Sequence, residues 1–184
     1  MTQDGRDRPH SHERFFFAVR PDSETARLID AFAAGEVPEG RRVPVEHQHV
    51  TLALTEDVAT PAPGLAAGLL EVGALVRGEA FDLLLDRLSV GRRTVALVPS
   101  RPPAPLIDLQ RGIASTMADR RIAMRKGWHF SPHQTLCYGR GEVLSRPVVG
   151  FSWRASELVL VRSLVGLGRH ETVGRWRLGR EKER

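Results

Sequence analysis

The chain carries the tetrad His49-Val50-Thr51-Leu52 and, 84 residues further on, His133-Gln134-Thr135-Leu136. Each copy follows a loop-like stretch and precedes apolar residues. Such a repeat, with one copy in each half of a small chain, predicts a duplicated unit in which each half supplies one histidine and one hydroxyl. The site would then lie between the halves. On an extended strand alternate side chains share a face, so His49 and Thr51 point one way while Val50 and Leu52 enter the packing on the other. The second copy has the same parity, with Leu136 facing the core and Gln134 a polar break in the apolar set.

Two imidazoles and two hydroxyls facing one cleft suit in-line displacement at a phosphorus that already carries a good nearby leaving oxygen. One neutral imidazole takes a proton from attacking water, and the other, as imidazolium, gives a proton to the departing alkoxide. Threonine hydroxyls donate to the non-bridging oxygens where charge builds up. Histidine titrates near neutrality, so a mixed pair, one charged and one not, is accessible at working pH. This chemistry needs no metal or other cofactor.

At 184 residues with 41% apolar content, the chain is long enough for one domain of two lobes. Its single Cys137 cannot form an internal disulfide, which fits a reducing compartment. No apolar run approaches bilayer-spanning length and the N-terminus lacks a signal-peptide core, so a cytoplasmic protein without a membrane partner is expected, as a monomer. The net charge of +5 comes almost wholly from arginine, Lys126 and Lys182 being the only lysines. A planar guanidinium matches phosphate geometry, which is compatible with an RNA or nucleotide partner, although a solvated basic surface is the preferred reading of charge alone.

In chain order, residues 1–13 read as a flexible tail in which His10 and His12 have no part. Residues 15–20, apolar almost throughout, predict a central strand buried on both faces. Asp22 or Ser23 would cap a helix with Thr25, Leu28, Ile29 and Phe32 on one face and Gly35 at its end. A loop at 37–44 follows, in which Arg41 and Arg42 could lean over the cleft or be solvated, the solvated reading being preferred, then the first motif strand at 48–54. A helix over 61–77, weakened by Gly68 and Gly73, and a hairpin of 81–90 with 94–98 complete the first half. After the linker 101–105, Leu106, Leu109, Ile113 and Met117 mark a helix to about Arg120, and 134–138 is the second motif strand. Residues 151–163 and 172–178 read as strands around the Gly166-Leu167-Gly168 turn. The expected class is α+β: two similar lobes, each an antiparallel sheet with helices outside and the cleft between them.

The two His-x-Thr-x motifs resemble those of the two-histidine phosphoesterases. Within that superfamily the chain is similar to the 2′–5′ RNA ligase, or RNA 2′,3′-cyclic phosphodiesterase, branch. Arg14-Phe15-Phe16-Phe17-Ala18-Val19-Arg20-Pro21 resembles its first strand, and Phe130-Ser131-Pro132-His133-Gln134-Thr135-Leu136 its approach to the second motif. The resemblance runs from about Arg14 to Leu178. It implies one bilobal domain over 14–178, a charged tail over 179–184, and hydrolysis of RNA 2′,3′-cyclic phosphate ends to 2′-phosphate, with reverse 2′–5′ ligation open to the same site. It also implies His49 as acid, His133 as base, and Thr51 and Thr135 on the phosphate, although nearly symmetric motifs leave the two histidine roles interchangeable. After the first motif, Leu54, Thr55 and Glu56 replace the usual aromatic and leucine-glycine pair. After the second, Tyr138 stands where relatives often carry arginine, with Arg140 two residues on, and these two are the candidate substrate contacts.

Other readings use the same residues. His47 shares strand parity with His49, so His47, His49 and His133 could be imagined around a metal, but no supporting ligand pattern accompanies them and no metal is expected. His129 and His170 receive no role. An RNA-end or nucleotide-binding module with little turnover, or a phosphodiesterase acting on a small cyclic nucleotide, are the alternatives.

Overall fold

A computed structural model describes residues 12–36, 41–139 and 142–179. The elements are β1 (His12–Val19), α1 (Ser23–Glu36), β2 (Arg41–Arg42), a 3-10 turn (Val45–His47), β3 (Val50–Leu54), β4 (Val58–Ala59), α2 (Pro63–Leu75), β5 (Phe81–Val90), β6 (Thr94–Val98), α3 (Ala104–Asp119), β7 (Gln134–Tyr138), β8 (Leu144–Ala155), β9 (Glu157–Leu164) and β10 (Arg169–Arg177). They form two antiparallel sheets, an α+β architecture as expected. The first sheet has the order β10-β9-β1-β3 with β4 also on β1, and the second β2-β7-β6-β5-β8.

β1 is the central strand its composition demands. Phe15, Phe17 and Val19 enter the main core, while Phe16 and Ala18 pack on the opposite face with Val159 and Val161. The strand begins at His12, inside the stretch read as a tail, because buried Glu13 is held there. Its carboxylate accepts from Arg162 Nε at 2.6 Å and from the Ala62 amide at 2.6 Å. A carboxylate 1% exposed is tolerable only with such partners.

Asp22 caps α1 through Oδ1, which accepts from the amides of Glu24 and Thr25. The buried face is Thr25, Ala26, Ile29 and Ala33, so the predicted stripe is rotated: Leu28 is 57% exposed, and the helix continues through Gly35. Its Phe32 packs on Phe151 of β8, ring centroids 5.3 Å apart. In α2, Gly73 is required by packing, since a β-carbon added there would overlap the Trp176 indole of β10. α3 starts at Ala104, within the predicted linker, with Leu106, Leu109, Ile113 and Met117 buried as the spacing predicts.

Two corrections concern topology. The run 151–163 is not one strand: β8 pairs with β5 in the second sheet and β9 with β1 in the first, with Ser156 between them. The buried parity slips there, from Trp153 and Ala155 to Leu158 and Leu160, all in one core. Nor do the two sheets correspond to the two halves of the chain. β9 and β10 complete the first sheet, and β2 forms the edge of the second by pairing Arg41 with Tyr138 and Arg42 with Cys137.

Candidate functional site

Both motif strands deviate from regular pairing at the same step. Phe17 pairs with Ala53 and Ala18 with Thr51, so Leu52 is passed over. Likewise Val95 pairs with Cys137 and Ala96 with Thr135, so Leu136 is passed over. A bulge re-aims the side chains beside it. In each copy the leucine is buried in the core and the threonine, opposite an alanine, is half-buried. The histidine of each copy lies one residue before its strand.

A cavity of about 560 Å³ is lined by His49, Thr51, His133, Thr135 and Tyr138, together with Arg14 and Phe16 of β1, Arg41 and Arg42 of β2, Trp128 and His170. The structure thus brings both motifs to one cavity, with walls from both sheets. Arg41 and Arg42, read from sequence as solvated, are on that wall. Arg42 donates to the Asp30 carbonyl at 3.4 Å, whereas among the described residues no carboxylate pairs with Arg41, whose guanidinium carbon lies 5.2 Å from the Tyr138 ring centre. Arg125 is not on the wall and is paired with Asp57 at 2.8 Å. Arg140 and His10 lie outside the described residues.

The two imidazoles are anchored alike. His49 Nδ1 lies 2.6 Å from the His47 carbonyl and His133 Nδ1 2.7 Å from the Ser131 carbonyl, in each case two residues back. A carbonyl only accepts, so Nδ1 carries the proton and Nε2 is left to the ligand. Among the described residues neither the Thr51 nor the Thr135 hydroxyl is committed to another group. The arrangement offers two ring nitrogens and two hydroxyls to one guest.

The surroundings of His49 set its charge state. His49 stacks on Phe16 with centroids 4.6 Å apart. Burial lowers its pKa to about 4 against the raising effect of the His47 carbonyl, and His170, Arg20 and His133 lower it further. With its pKa so lowered, His49 is neutral at pH 7. His170, given no role from sequence, lies edge-on to His49 at 5.9 Å and 4.3 Å from His47. Its own pKa is lowered to about 4 by burial and by His47, Arg20 and Arg14. No sequence signal marked it or Phe16 as neighbours of His49, because the contacts join strands distant along the chain. Among the described residues, no group of three or more His, Cys, Asp or Glu side chains is arranged to hold a metal, and no helix is long and apolar enough to cross a membrane.

No family model matches the chain, and no curated protein sequence does either. Solved structures do. A protein described as a phosphoesterase superposes with a TM-score of 0.78 at 28% identity, over 92% of this chain and 99% of its own. E. coli LigT in complex with 3′-AMP gives 0.75 at 28% identity over the same shares, and LigT has also been solved with ATP and with phosphate. The Thermus thermophilus protein TT0787, at 20% identity, a TM-score of 0.73 and coverage of 91% and 99%, shares the fold. With a common architecture over nearly the whole of both chains, at 28% identity to LigT and the phosphoesterase, this chain is similar to members of the two-histidine phosphoesterase family.

Proposed function

We propose that the protein hydrolyses RNA 2′,3′-cyclic phosphate ends to 2′-phosphate without a metal, and that the same site can run the reverse 2′–5′ ligation. One observation carries the reading: two imidazoles anchored identically through Nδ1 line the same cavity as two uncommitted threonine hydroxyls. The nucleotide and phosphate complexes of LigT support it by likeness.

In the proposed reaction, water attacks phosphorus and loses its proton to His133 Nε2. The bond to the 3′ oxygen breaks, and His49 Nε2–H delivers the proton that oxygen needs. Thr51 and Thr135 donate to the non-bridging oxygens. His49 must be protonated for this step although burial holds its pKa at about 4. The phosphate anion itself supplies the stabilising charge, so substrate binding draws a proton onto His49. A second reading exchanges the roles, and the neutral, desolvated His49 favours it: His49 would serve as base and His133 as acid.

The test is hydrolysis of a short RNA ending in a 2′,3′-cyclic phosphate, in excess chelator, with the product phosphate located directly. Turnover to the 2′-phosphate is the expected result. No turnover by folded protein, together with tight and salt-sensitive binding of the same RNA, would favour the binding-module alternative. Turnover of a cyclic mononucleotide in preference to RNA would move the substrate to a small cyclic nucleotide.

Arg41 and Tyr138 complete the proposed site as its substrate grip. The guanidinium resting on the Tyr138 ring keeps its N–H fork free for a phosphate outside the reacting centre. Arg41→Ala is expected to raise KM for the short RNA about tenfold, with kcat little changed. It should also reduce the dependence of log affinity on log salt by about one contact's worth. An unchanged salt dependence would remove Arg41 from the substrate.

A further inference from the structure

Gln48 and Gln134 are 4% and 0% exposed and are absent from the cavity wall. Gln134 Nε2 donates to Gln48 Oε1 at 2.9 Å, joining residues 86 apart in sequence. The strands they flank share no backbone ladder: β3 pairs with β1, and β7 with β2 and β6. The amide pair is therefore a direct polar tie between the two sheets.

Its place in the chain is specific. Gln48 lies between His49 and the His47 carbonyl that accepts from His49, and Gln134 directly follows His133. Fixing these two side chains fixes the backbone at each imidazole. Packing alone does not explain the choice of residue. Gln134 Oε1 is buried with no partner among the described residues, an unmet acceptor that an apolar pair of similar size would remove. A hydrogen bond adds what apolar contact lacks, a defined length and direction.

We infer that the buried Gln48–Gln134 bond is a positioning device that sets the separation and orientation of His49 and His133 across the two sheets. The inference rests on the two-histidine reading of the site. It makes both glutamines positioning residues, acting through the histidines rather than on substrate.

The test compares the full chain with Gln48→Met, Gln134→Met and the double variant. Each single variant should melt below wild type, because it strands a buried amide. The double variant should recover the melting temperature, since removing both partners leaves nothing unpaired. Its kcat on cyclic-phosphate RNA should nevertheless remain at least tenfold down, because the two histidines no longer align on the phosphate. A double variant with wild-type kcat would overturn the inference. Inorganic phosphate provides a readout independent of turnover: in wild type the His49 and His133 ring resonances should shift over one titration curve. In the double variant the affinity should be weaker by about tenfold. If wild type turns nothing over, the proposed activity fails and the phosphate titration still decides the tie, unchanged affinity overturning it.

Discussion

Alanine at His49 or at His133 is expected to lower kcat on a cyclic-phosphate RNA by about 10²- to 10⁴-fold, the usual worth of a general acid or base. The two variants should then part company on a substrate whose 3′ leaving oxygen is replaced by sulfur. A thiolate leaves without a proton, so the variant lacking the acid regains most of its rate and the variant lacking the base does not. Rescue of His49→Ala would assign the acid to His49, as family likeness implies. Rescue of His133→Ala would assign it to His133, as the low pKa of His49 favours. Wild-type turnover in either alanine variant would end the paired acid-base model. Circular dichroism of His49→Ala is the necessary control, because that ring stacks on Phe16 and its loss removes packing as well as chemistry.

The threonines should rank next. Thr51→Val and Thr135→Val keep the shape of the side chain and delete its hydroxyl. Each is expected to cost roughly 10²-fold in kcat, the scale of one lost donor to a developing oxyanion. Serine should restore most of the rate. Each threonine sits opposite an alanine beside a bulge, so valine fits and the melting temperature should hardly move. If KM rises while kcat stays constant, the hydroxyls bind substrate and transition state equally and contribute affinity alone.

Local patterning revealed more of this molecule than pairing did. The hairpin of β5 and β6, the buried stripe of α3 and the extent of β7 follow from periodicity within a few residues, and there the expectation and the structure coincide. Arg41 and Arg42 were opaque because a two-residue edge strand has no alternation to detect, and its partner Tyr138 is 97 positions away. The change of sheet at Ser156 was hidden by continuity of character, since β8 and β9 bury residues in one core and only the parity slip marks the break. Leu28 misled because it keeps helical spacing with the buried face while lying at its exposed margin. Of the candidate site, both His-x-Thr pairs and Tyr138 are on the cavity wall. Phe16 and His170 were missed because each meets His49 only through tertiary packing. Gln134, a flaw in the apolar pattern when read alone, acquires a partner only once Gln48, just before β3, faces it.

The placement of β1 between β3 and β9 sets the order in which the chain can complete itself. Phe17 meets Ala53 on one edge after 36 residues, but Leu160 on the other only after 143. During synthesis the segment Phe15-Phe16-Phe17 therefore keeps one hydrogen-bonding edge open until β9 has been made. An open apolar edge is a template for pairing with another chain, and closing it over so long a separation is slow. The strand at the centre of the finished protein thus stays open to mispairing during biogenesis until β9 closes it.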